Sequence, residues 1–156
     1  MIEQNMLLDM ETFFLALADK TRLRLLNLMR EDEVCVCFFT EILGDSQPKI
    51  SRHLAYLRSA GIVEARREGK WMHYSISKPR DEGGRKVLQS VLDWLDSKED
   101  LQKDRENYKH ACCSPEMLVR IARTPMNFIS AHADMFEAKS QSDNIPAHNE
   151  LEEFLL

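Results

Sequence analysis

Two thiols one residue apart, Cys35 and Cys37, are followed nine positions later by the run Ser46-Gln47-Pro48-Lys49-Ile50-Ser51-Arg52-His53-Leu54. Thiolates are soft ligands that select thiophilic ions, so calcium and magnesium are excluded as partners of this pair. Residues i and i+2 point to nearly opposite sides of a regular helix but to the same side of an extended chain. Cys35 and Cys37 can therefore converge on one ion only where the backbone is not fully helical, which places them at a helix start that ion capture would distort. Helix amides would lower the thiol pKa values there, whereas Glu31, Asp32 and Glu33 would raise them.

Cys112 and Cys113 are the other thiols among the four cysteines. One CxC and one adjacent pair do not match the CxxC…CxxC of a zinc ribbon. The chain has 156 residues, 44% of them hydrophobic and 30% charged, enough for one core with appendages. It shows no basic region followed by an apolar run, and no apolar stretch near the roughly 20 residues of a membrane helix, so a cytoplasmic protein without membrane contact is expected. In that compartment the cysteines are expected to be free thiols, metal ligands or redox groups rather than structural disulfides.

The net charge of −5 conceals a segregation. Residues 1–45 carry 4 basic and 9 acidic side chains, residues 46–80 carry 8 and 2, and residues 81–156 carry 9 and 15. Phosphate contacts need local positive potential rather than a basic whole, so the middle of the chain is suited to face DNA between acidic flanks.

The elements that must position these groups can be traced from periodicity. Leu7, Met10, Phe13, Phe14 and Leu17 make the stripe of a first helix, Met6 to Ala18. Asp19 and Thr21 can cap a second helix, carrying Leu23, Leu25, Leu26, Leu28 and Met29. A third begins near Val36 and stops at Gly44, and a fourth runs from about Gln47 to Ala60, with Ser46 as N-cap and Pro48 in the first turn. Ile62–Arg66 and Lys70–Ser75 read as a hairpin. Val87, Leu88, Val91, Leu92 and Leu95 then lie on one helix reaching about Asn107, a natural dimer face. Segments from Ser114-Pro115 to Arg123 and from Thr124-Pro125 to Ala138 read as short helices, and the polar stretch 139–156 is expected to be mobile.

Two helices joined by a short turn and followed by a hairpin outline a winged helix-turn-helix, whose second helix enters the major groove by its N-terminal end. On that geometry Gln47, Lys49, Ser51, Arg52 and His53 are outward candidates for DNA contact, while Ile50 and Leu54 face the core. Arg66, Arg67 and Lys70 at the hairpin tip would meet phosphates or the minor groove. The fold expected is mainly α with a small β-hairpin, dimeric, in which residues 1–108 form the DNA-binding and dimerisation domain and 109–156 a helical and partly disordered extension bearing the second cysteine pair.

Ala18-Asp19-Lys20-Thr21-Arg22-Leu23-Arg24-Leu25-Leu26, Val34-Cys35-Val36-Cys37, Ser46 to Leu57 and Gly69-Lys70-Trp71-Met72-His73-Tyr74 closely resemble the arsenical-resistance repressors of the ArsR/SmtB family, over about residues 9–100. The resemblance implies a homodimeric repressor, not an enzyme, that sits on double-stranded operator DNA and leaves it when metal binds. In arsenic-sensing relatives a third cysteine follows three residues after the CxC, where this chain has Thr40. Cys112 or Cys113, or both, are therefore expected to complete the site, from the same or the partner subunit. Arsenic(III) or antimony(III) is the expected inducer, with cadmium or lead as the alternative. The zinc sites of relatives use Asp and His on the last dimer helix. Here Asp93 and Asp96 have no His beside them, so such a site is not expected. A thiol-redox-sensing repressor is a rival reading, and a constitutive DNA-binding protein another. A thiol enzyme would need a phosphate-cradling loop around one of the cysteines, which neither pair has.

Overall fold

A computed structural model describes residues 2–123, with side chains over 9–120 and at 123. The expected helix 124–138 and the polar stretch 139–156 lie outside the described residues. Helix α1 spans Ile2–Leu17 and α2 Lys20–Leu28, followed by a short strand β1, Val34–Cys35. Helices α3 (Val36–Leu43) and α4 (Gln47–Ser59) come next, then strands β2 (Val63–Glu68) and β3 (Trp71–Ile76). Helices α5 (Glu82–Asp96), α6 (Glu99–Cys113) and α7 (Pro115–Ala122) complete the described chain.

Local chemistry sets most of these boundaries. The Asp19 carboxylate caps α2 by accepting from the Arg22 amide at 2.9 Å. Gly44 ends α3 at φ 70°, a left-handed conformation that costs glycine little. Pro48 lies in the first turn of α4, where its missing N–H is no loss, although the Ser46 side chain makes no capping bond. Glu68 and Trp71 are paired across a two-residue loop that opens on Gly69 at φ 59°, the type of hairpin connection matched to strand twist. The sheet is antiparallel in the order β1-β3-β2, so β1 joins the hairpin as an unexpected third strand.

The core lies between α2, α3, α4, the sheet and α5. Leu25, Leu26, Phe39, Ile50, Leu54, Leu57 and Ile62 are fully buried, each worth about 1.5–3 kcal/mol in apolar transfer. Leu88, Leu92 and Leu95 bring α5 onto this core, whereas Trp94 on α5 and Met10 and Phe14 on α1 stay uncovered.

The single helix expected from Val87 to Asn107 is instead two, divided at Ser97 and Lys98. No proline or glycine marks the break. Helix α6 turns back and docks on α2, where Arg24 grips Asp104 with two bonds of 2.7 and 2.8 Å and Asn27 donates to the Leu101 carbonyl at 2.9 Å. Asp104 is only 7% exposed, so this forked, charge-assisted pair is the polar anchor of α6. The division expected between residues 108 and 109 falls inside α6, which carries the second cysteine pair on its last turn. The final described helix, Pro115–Ala122, occupies the segment read as helical from Ser114-Pro115 to Arg123.

Candidate metal centre and nucleic-acid interface

Cys35 ends β1 and is the N-cap residue of α3, with extended backbone angles of φ −67° and ψ 139°. Cys37 lies one residue into the first turn. The change from strand to helix between them lets both side chains converge, as the i,i+2 geometry required. The Cys37 thiol donates to Cys35 Sγ at 2.8 Å. That bond holds Cys35 below the ordinary thiol range despite its burial, and drives Cys37 strongly upward. Such a pair gives up its first proton readily and its second reluctantly, and a soft ion able to displace both protons would be chelated on the rim of the core. Thr40, standing where a third cysteine would fall, donates its hydroxyl to the Cys37 carbonyl at 2.8 Å and so braces the first turn.

The second pair approaches this corner from α6. Tyr108 packs edge-on against Phe38, the residue after Cys37, with ring centroids 5.4 Å apart. Cys112, one turn further along α6, together with Asp32 and Cys35, lies near enough to act on its phenol. Burial and those neighbours push the phenol well above its usual range. Cys112 is therefore on the same flank as the CxC pair and is itself raised, first by burial and then by Cys113 and Asp32, against a lowering by Tyr108. Cys113 is exposed. Among the described residues no three His, Cys, Asp or Glu side chains are gathered into a ready metal site. The residues fit a thiophilic ligand in kind, two sulfurs in contact and a third nearby, but the third is not yet assembled with them. Sequence reasoning missed Tyr108, for which only its i,i+4 spacing to Cys112 gave a signal.

The DNA-facing candidates divide in two. Lys49 and Arg52 are exposed on the first turns of α4, Lys49 bonded to Asp45 at 2.7 Å and Arg52 to the Pro48 carbonyl at 3.4 Å, and Gln47 is half-buried beside them. Arg67 and Lys70 stand at the hairpin tip, Arg67 donating to the Gly69 carbonyl and Lys70 lying over the Trp71 ring. Ser51 is a correction: it is 7% exposed, on the same stripe as Ile50 and Leu54, and does not face outward. His53 is a second correction. Its ring turns toward α2, with Nδ1 3.5 Å from the Asp19 carboxylate, and burial lowers its pKa. Arg66 is exposed but held by Glu33 and Glu68.

The family described as "Bacterial regulatory protein, arsR family" matches residues 19–65, from the cap of α2 into β2. Over 102 residues the chain is 40% identical to the arsenical resistance operon repressor of Escherichia coli K12, which spans 65% of this chain and 86% of that protein. It is 48% identical over 87 residues to the arsenic resistance transcriptional regulator ArsR1 of Pseudomonas putida KT2440, covering 53% and 68% of the two chains. Among solved structures, the homodimeric winged helix-turn-helix DNA-binding domain of a possible ArsR-family regulator from Mycobacterium bovis superposes with a TM-score of 0.51 at 30% identity, over 60% of this chain and 84% of that one. The chain is a winged helix-turn-helix protein and belongs to the ArsR family of bacterial transcriptional regulators.

Proposed function

We propose that this chain is a repressor that holds operator DNA as a homodimer and releases it when trivalent arsenic or antimony is captured by Cys35, Cys37 and the thiols at the end of α6. The observation that carries this reading is the position of the CxC pair at the start of α3, the first helix of the helix-turn-helix, with Cys112 brought to its flank by Tyr108. Three sulfurs suit the demand of a soft trivalent ion, and closing them around one would pull on the α3 start and so on α4. Gln47, Lys49 and Arg52 on α4, with Arg67 and Lys70 on the wing, are the DNA contacts in this reading. A second copy would cover Met10, Phe14 and Trp94, which are exposed in the single chain. The winged unit of residues 1–108 and the extension beyond it then work as one device, because α6 crosses from one into the other.

The test is a titration of the reduced protein on its operator with arsenite, antimonite, cadmium, lead and zinc, followed by fluorescence anisotropy. Release by arsenite and antimonite at the lowest concentrations is expected. Release by cadmium or lead alone would reassign the inducer, and release by peroxide but not by any ion would replace metal capture with thiol oxidation.

A further inference from the structure

The register of the sheet places a sensor thiol and the wing in one row. Cys35 is paired with His73, and His73 in turn with Arg66. Directly opposed residues on antiparallel strands share a face. The adjacent row, Val34, Tyr74 and Ala65, turns toward the core, with Val34 and Tyr74 at 0% and 2% exposure. Cys35, His73 and Arg66 therefore lie together on the other face.

Glu33, two residues before Cys35, closes this row. Its carboxylate accepts from Arg66 Nε at 3.1 and 3.2 Å and from the terminal nitrogen at 2.5 Å, and it lies 3.8 Å from His73 Nδ1. Glu68 adds a bond of 2.8 Å to the same guanidinium and lies 3.9 Å from His73 Nε2. The guanidinium holds the Glu33 carboxyl below its ordinary range. Two carboxylates on one guanidinium leave a net negative cluster, a poor surface to offer a phosphate.

We infer that Glu33 and Arg66 form a clamp that couples the thiol corner to the wing: capture of a ligand at Cys35 reaches the hairpin through the row Cys35–His73–Arg66. This rests on the proposed role of Cys35 as a ligand. Strand β1 is two residues long and cannot absorb a displacement within itself. Drawing Cys35 toward Cys112 either drags β3 through the Val34–Tyr74 and Cys35–His73 pairs or pulls Glu33 off Arg66, and both change the angle of the wing on DNA. Arg66 is then a positioning residue, and phosphate contact at the hairpin falls to Arg67 and Lys70.

Glu33→Gln and Arg66→Gln, made separately in the full chain, test the clamp. Arsenite binding is followed by thiolate-to-arsenic absorbance and operator affinity by anisotropy, with and without arsenite. Both variants are expected to bind arsenite as the parent does while the arsenite-induced change in operator affinity falls by about fivefold or more. In Arg66→Gln the salt dependence of operator binding should keep its slope, rather than losing the roughly 0.9 that one phosphate contact contributes. An unchanged arsenite response in both variants, or a slope reduced by one full contact, overturns the clamp. Failure of the parent to bind arsenite overturns the proposed function and the clamp with it. A parent that binds arsenite and variants that respond like it remove the clamp alone.

Discussion

Both cysteine pairs are close in sequence, yet the fold treats them oppositely. Cys35 and Cys37 straddle a strand-to-helix transition, touch each other, and are tied to the sheet through Cys35–His73 and to the core through Val34, Val36 and Phe39. Cys112 and Cys113 end a mostly polar helix, and Asp104 is its one buried residue. The first pair cannot move without disturbing the DNA-reading unit, whereas the second lies on a helix anchored at a distance from that unit, through Arg24–Asp104. A sensor benefits from that asymmetry: closing thiols of the two pairs on an ion pulls against the anchored α6, and the displacement of Cys35 and Cys37 carries the consequence of binding.

Removing the first pair has the largest expected effect. Cys35→Ser with Cys37→Ser should abolish the arsenite response, collapsing a coupling typically between about 5- and 150-fold to none, while operator affinity without arsenite survives. Anisotropy in the presence and absence of arsenite checks both halves. Cys112→Ser should retain the two-sulfur site and weaken arsenite binding by at least the roughly 10- to 100-fold that loss of an outer-shell partner costs a metal site. Cys113→Ser should do less, and equal losses in the two would show that the flank near Tyr108 is not the entry side.

Two smaller effects sharpen the account of how α6 is held. Asp104→Ala removes both bonds to Arg24, and chemical denaturation should show a loss of about 2 kcal/mol, with arsenite affinity falling because the thiols of α6 are no longer presented. Tyr108→Phe keeps the ring against Phe38 but removes the hydroxyl beside Cys112, so arsenite affinity should drop severalfold without a comparable change in stability.

The least disruptive test is a pH titration. Because the Cys37 thiol favours ionised Cys35, thiolate absorbance in a Cys112→Ser, Cys113→Ser background should show one proton leaving below pH 9.0, the ordinary thiol value, and the second far above it. Cys37→Ala removes the donor while leaving Cys35 buried, so the first transition should move upward. An unchanged first transition would show that Cys37 does not set the ionisation of Cys35.

The helix-turn-helix was legible because its punctuation is local. Gly44, Ser46-Pro48 and Gly61 bound α3 and α4, and the convergence of Cys35 and Cys37 followed from helix geometry alone. What was not legible was settled by partners far away in the chain. Strand β1 is too short to show a period, and it exists because β3 offers it an edge. The break at Ser97 carries no helix breaker and is made by α6 docking through Arg24–Asp104, 80 residues apart. The inward turn of His53 depends on Asp19, and the neutralisation of Arg66 on Glu33. The inward placement of Ser51 is local, since Ile50, Ser51, Leu54 and Leu57 make one buried helical stripe.

The claim on which the account depends is that one ion is shared between the start of α3 and the end of α6. X-ray absorption of the arsenite-loaded protein counts sulfur neighbours around arsenic directly. Three are predicted in the parent chain and two in Cys112→Ser, Cys113→Ser. The same count in both, with the response to arsenite intact, would contradict it.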